Sequence, residues 1–188
     1  HADADFCIHA GDITDKGKIE SYIRFKQIKS KLKIPIHLTI GNHDNRDNFK
    51  QVFNNEHSDE NGFIQKVIDI KNHRIIILDT FNTNLVGEGK LCKTRLKWLE
   101  KHINQDKEIP TIIIMHHHVS KIQSSYIDLI ALENPKEFFK ILKNHSNIRH
   151  IITGHVHVSS TVFENNIPQT TIAGSHNSFS VQNLFTPF

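Results

Sequence analysis

Apolar residues recur along this chain in short blocks, and polar clusters close most of them. Ala4–His9 (ADFCIH) reads as a strand that runs into Gly11-Asp12. Pro35–Ile40 is a second strand, closed by Gly41-Asn42-His43-Asp44. Phe63–Ile70 and Arg74–Thr80 read as two strands joined by a polar turn at 71–73. Thr111–Met115 is a strongly apolar strand followed by three histidines, and Ile148–Thr153 runs into Gly154-His155-Val156-His157. Ser159–Phe163 and Gln169–Ala173 complete the strands, with Asn165-Asn166 as a turn between them. Helical spacing of apolar residues predicts helices over 18–31, 46–53, 91–103 and 134–142, the last with Pro135 in its first turn, where proline is tolerated.

This alternation predicts an α/β layered fold in one domain spanning 1–188. In open α/β sheets, ligands collect beyond the carboxyl ends of the strands. The four polar tips are therefore expected to meet in one crevice. Taken alone, Gly-Asn-His-Asp is also ordinary turn chemistry, so the number and placement of the tips carry the weight.

Composition narrows the reading. The chain has 188 residues, 37% apolar and 23% charged, enough for a core and too apolar for disorder. No apolar run approaches the roughly 18 residues of a membrane span, and no signal peptide is expected. The net charge of +3 is too small to call for nucleic acid. The two cysteines, Cys7 and Cys92, form no disulfide framework, so a reducing, cytoplasmic setting is expected. Cys7, in an apolar strand pattern, is expected to be buried. Histidine stands out, with 15 residues, several beside glycines at strand ends.

Asp, Asn and several His brought together would each cost a few kcal/mol if buried without partners. A divalent metal supplies the missing partner, and this mixture of imidazole, carboxylate and carbonyl donors suits Mn, Fe or Zn.

"GDITD" at 11–15, "GNHD" at 41–44, "MHH" at 115–117 and "GHVH" at 154–157 together resemble the calcineurin-like metallophosphoesterase superfamily, in its order. "GNHDNRDNFKQVF" and "IIILDTFNT" followed by "GEGKL" and "LKWLE" resemble more narrowly its class III cyclic nucleotide phosphodiesterase and glycerophosphodiesterase branch. The resemblance covers nearly the whole chain. It implies a four-layer αββα sandwich of two packed mixed sheets flanked by helices. It implies two divalent metal ions and hydrolysis of a cyclic nucleotide or small phosphodiester by a metal-bound hydroxide. Asp12 would bridge the metals. Asn42, His116 and His155 would bind the second metal, and His157 the first. His43 would stabilise the phosphate and protonate the leaving oxygen, and Asp44 would orient or charge-tune His43. Of the three consecutive histidines, His116 is taken as the ligand because it directly follows the strand. His176 and Arg46 are candidates for approaching the crevice, with surface roles as the alternative; His9 and His145 lack motif context.

One departure is plain. The family places Asp-x-His on a strand a few tens of residues before the GD motif, and the eleven residues before Asp12 contain no such motif. The resemblance then leaves the first metal position with Asp12 and His157, so one metal is expected to be held better than two. A nucleotide-lipid pyrophosphatase, a phosphomonoesterase, or a catalytically weak metal-binding or interaction domain remain open as alternatives, as does a homodimer.

Overall fold

The computed structural model describes residues 3–54, 56–122, 124 and 126–176. Strands β1 (Cys7–Ala10) and β2 (Ile36–Thr39) pair in parallel. Strands β3 (Lys66–Ile70), β4 (His73–Leu78), β5 (Thr111–Met115), β6 (Ile148–Thr153), β7 (Ser160–Glu164) and β8 (Ile167–Thr171) form a second sheet in the order β3-β4-β5-β6-β8-β7. Its centre is parallel, and its two outer pairs, β3–β4 and β7–β8, are antiparallel. Helices α1 (Ile19–Lys29), α2 (Arg46–Phe53), α3 (Lys93–Ile103) and α4 (Pro135–Leu142) complete the α/β fold.

Three apolar clusters define four layers. Tyr22, Phe49 and Phe53 of α1 and α2 pack on Leu38 of the small sheet and on Ile40 just beyond β2. Ala10, Ile75, Ile77 and Ile114 lie between the two sheets. Trp98, Leu99, Phe138 and Leu142 of α3 and α4 cover the far face of the large sheet, on Ile76, Ile113 and Ile151. Central strand β5 is nearly continuous apolar sequence because both of its faces are covered. The expected helix–sheet–sheet–helix layering is present, with only the six-stranded sheet mixed among the described residues.

Local chemistry sets the boundaries. Asn45 caps α2 by accepting the Asn48 N–H at 3.0 Å, and Asn54 ends it in left-handed backbone at φ 51°. Both hairpin turns, Lys71-Asn72 and Asn165-Asn166, place two consecutive residues at positive φ, the conformation that suits tight two-residue connections. β3 starts later than the apolar pattern suggests. The N–H groups of Phe63 and Ile64 are taken by the carboxylates of Asp59 and Asp79, so they are lost to a ladder. A 3₁₀ turn at Ile127–Ile130 has no counterpart in the sequence pattern. Cys7, expected to be buried, is exposed. Alternation sends Ile8 and Ala10 between the sheets, so Cys7 points the other way. His1 and the residues beyond 176 lie outside the described residues.

Candidate metal centre

Strands β1, β2, β5 and β6 run parallel within their sheets, and their carboxyl ends open on one cleft. At its floor sits His116, 1% exposed. Its Nδ1 is 2.8 Å from the Ala10 carbonyl oxygen. A carbonyl can only accept, so Nδ1 carries the hydrogen and Nε2 points a lone pair into the cleft. Around Nε2 lie Asn42 Oδ1 at 3.1 Å, His155 Nδ1 at 3.1 Å and Asp12 Oδ2 at 3.3 Å. His155 Nε2 lies 3.1 Å from the Ile130 carbonyl oxygen, which fixes its tautomer in the same way and leaves Nδ1 as an electron-pair donor.

Four donor atoms therefore face one another with no neutral arrangement that satisfies them all. The cluster calls for positive charge. Burial pulls the His116 pKa down, but the hydrogen bond and charge of Asp12 outweigh it and hold the pKa up. Burial pushes the Asp12 carboxyl up, while His116 and the His43 backbone N–H bring it net down to about 2. His155, desolvated and facing His116, is lowered to about 3. A divalent ion meets the same demand. Donor atoms 3.1–3.3 Å apart fit one ion with bonds of about 2.0–2.2 Å.

Backbone geometry is unusual at these residues. Asp12, His155 and His157 are at φ 54°, 72° and 55°, in left-handed backbone that side-chain-bearing residues seldom adopt. Gly41 needs its bare Cα for another reason. A Cβ there would strike the Asp12 carboxylate and stand 2.6 Å from the His116 ring. His157 lines the same cavity of about 730 Å³, together with His43, His9 and His176. His176 thus reaches the crevice. His9 does too, with its buried Nδ1 lacking a partner and its ring edge-on to Phe25.

His43 is exposed at the mouth. Its backbone N–H donates to Asp12 Oδ1 at 3.0 Å, and its Nδ1 donates to the Asp15 carbonyl at 3.0 Å. The resemblance gives Asp44 the task of orienting or charge-tuning His43; in the structure its carboxylate bonds other groups. The Asp44 carboxylate accepts from the N–H groups of Ile13, Thr14 and Gly41 and from the hydroxyls of Thr14 and Tyr22. It pins the Asp12 loop to the Asn42 loop, although burial raises its pKa. Arg46 does not reach into the cleft either. Its guanidinium forks onto the fully buried Asp79 at 2.8 and 2.9 Å. Its stem is too enclosed for a surface role.

His117 and His118 are both fully buried. The imidazoles of His116, His117 and His155 offer ring nitrogens within 4.8 Å of one another. His117 Nδ1 lies 2.7 Å from Thr80 Oγ1, and its ring packs where Gly89 has no Cβ. The Leu-Asp-Thr stretch at 78–80 was the available sequence signal for this contact.

The calcineurin-like phosphoesterase family profile matches residues 1–159. A probable glycerophosphodiester phosphodiesterase of Arcobacter nitrofigilis is 34% identical over 177 residues, covering 92% of this chain and 64% of the relative. A 3',5'-cyclic adenosine monophosphate phosphodiesterase of Pseudomonas aeruginosa is 30% identical, covering 81% of this chain and 54% of the relative. The chain thus spans roughly 54–64% of the length of these relatives. A dimetal phosphatase from Danio rerio superposes with a TM-score of 0.73 at 15% identity, over 91% of this chain and 73% of that structure. The chain belongs to the calcineurin-like phosphoesterase family.

Proposed function

We propose that the chain carries the catalytic centre of a metal-dependent phosphodiester hydrolase acting on a cyclic nucleotide or another small phosphodiester. The observation that carries this reading is the convergence of Asp12, Asn42 and His155 on His116 Nε2 within 3.3 Å. The residues fit a divalent ion of the Mn, Fe or Zn type, because two imidazole nitrogens, a carboxylate and a carboxamide oxygen form a mixed donor set. Such an ion, when bound, polarises a phosphoryl oxygen and acidifies a water near neutral pH. His157, on the same cavity, is the proposed ligand for the other ion, at the first metal position beside Asp12. Relatives bear the names of phosphodiesterases for cyclic AMP and glycerophosphodiesters, which supports a diester substrate.

The protein's own groups divide the remaining work. His43 stands at the mouth, where a phosphate oxygen would lie. With Nδ1 committed to the Asp15 carbonyl, a proton delivered to a leaving oxygen departs from Nε2. The Asp12 carboxylate is held by the His43 N–H on one oxygen and faces His116 with the other, so its orientation is set before any ligand arrives. Asp44 contributes by fixing the two loops that carry these groups, not by touching substrate.

The test is turnover of cyclic AMP and of bis(p-nitrophenyl) phosphate, with metal content measured on the same samples. Asp12→Ala and His116→Ala should lose bound metal and turnover together. Undiminished hydrolysis after chelation, or in Asp12→Ala, would overturn the reading.

A further inference from the structure

A second cleft lies away from the metal centre and shares no lining residue with it. Helix α4 sends Phe138 and Leu142 into the core. Lys136 and Lys140 on another face of the helix, and Lys143 at its carboxyl cap, are spaced by four and three and are exposed. This face, the β7–β8 turn and the loop after β5 enclose a groove of about 1210 Å³. Lys121 joins the three lysines on its lining, against a single carboxylate, Glu164. The excess equals the net charge of the entire chain, +3. Among the described residues none of the four lysines is in an ion pair.

The lining of the groove is also polar, and part of it is unsatisfied. Ser120 is 5% exposed and His145 8%, and both line the groove. Ser120 Oγ and His145 Nδ1 have no hydrogen-bond partner. A buried hydroxyl left without a partner is costly, which points to a group that completes it. The loop that carries Ser120 is tied to β8, since Gln169 Oε1 accepts the N–H groups of Val119 and Ser120 at 2.8 and 2.9 Å. The amino end of α4 adds to the field. Asn134, at its cap position, turns its side chain to the Leu91 backbone instead, so the first turn has no side-chain cap. Half-buried Phe139, with Ile148 and Ile167, supplies an apolar wall.

We propose that this groove binds a phosphate-bearing small molecule, its dianion held by the Lys136–Lys140 face and the Ser120 hydroxyl and its organic part resting on Phe139. The site is independent of the metal centre.

The test is calorimetry in an Asp12→Ala background, which removes competition from the metal centre. The probes are inorganic phosphate, adenosine 5'-monophosphate and adenosine. Saturable binding of the monophosphate at about one per chain is expected, and none for adenosine. Phosphate binding as tight as the monophosphate would keep the site and identify free phosphate as its ligand. Lys136→Ala/Lys140→Ala and Ser120→Ala should each weaken binding by about tenfold or more while circular dichroism stays unchanged. In the otherwise native chain, Lys136→Ala/Lys140→Ala should leave diester turnover unchanged. No saturable heat up to about 10 mM of either anion, affinity indifferent to the lysine substitutions, or equal binding of adenosine would overturn the proposal.

Discussion

Replacing Asp79 with Asn should destabilise this protein more than most changes that leave the shape of a side chain intact. Asp79 is fully buried. Its carboxylate accepts the Arg46 fork at 2.8 and 2.9 Å, the Ile64 N–H at 2.9 Å and the Phe81 N–H at 3.0 Å, with Arg95 Nη1 at 3.4 Å. The Arg95 guanidinium also lies 4.7 Å from the Phe63 ring centre, so both cations are sandwiched between aromatic rings and one anion. An amide in place of the carboxylate removes the buried charge they are hydrogen-bonded to and turns an NH₂ donor toward other donors. Breaking a buried pair in this way costs about 3–5 kcal/mol, against a total stability of about 5–15 kcal/mol. For a chain of this length that corresponds to a melting point lower by about 6–20 °C. Trp98 is the single tryptophan and is 5% exposed, so its fluorescence follows urea unfolding without a label. A loss below about 1 kcal/mol, with an unchanged denaturant slope, would refute the reasoning. Arg46→Met combined with Asp79→Asn should recover part of the loss, because one of the two cations left without a carboxylate is removed.

Three further outcomes follow from the geometry. His57 is 4% exposed, packs against Phe49 and Phe53, and has neither ring nitrogen bonded; burial lowers its pKa to about 3. The unfolded chain therefore takes up this proton first, near pH 6.5, so stability falls as pH drops below that value; His57→Leu should remove about 1.4 kcal/mol of the loss between pH 7.5 and 5.5 in urea titrations, and an unchanged pH slope would sink the assignment. His43→Ala should keep its metal and lose roughly 10²–10⁴-fold in turnover on a diester with a poor leaving group, with a smaller loss on nitrophenyl esters; equal losses on both would make His43 structural. Gly41→Ala should fold yet bind metal at least about tenfold more weakly, since the added methyl meets the Asp12 carboxylate and the His116 ring; metal analysis after dialysis decides it.

What the sequence reveals and what it hides have different physical origins. Strands such as 111–115 and helices such as 46–53 are legible because local periodicity, caps and breakers agree with the tertiary environment. The strand-end placement of Asp12, Asn42, His116 and His155 is legible because parallel strands bring their carboxyl ends to one edge. The partner of each side chain is not, since it depends on contacts distant in sequence. Asp44 and Arg46 flank the His43 loop, yet one faces Thr14 and Tyr22 and the other reaches Asp79, 33 residues away. The 3₁₀ turn at 127–130 is not legible because its four residues, IDLI, carry no turn signal of their own. The exposure of Cys7 is not legible because a four-residue strand with apolar residues on both faces, CIHA, does not say which face is covered.

The left-handed backbone at Asp12, His155 and His157 has a consequence for anyone engineering this chain. Each such residue carries about 1–2 kcal/mol of conformational penalty that glycine would not. A library of variants ranked only by melting temperature would therefore favour glycine at these three positions. The winners would be sturdier proteins stripped of side chains that line the metal cleft. Selection for heat resistance has to be coupled to a metal-retention screen from the first round, or it will erase the site it was meant to preserve.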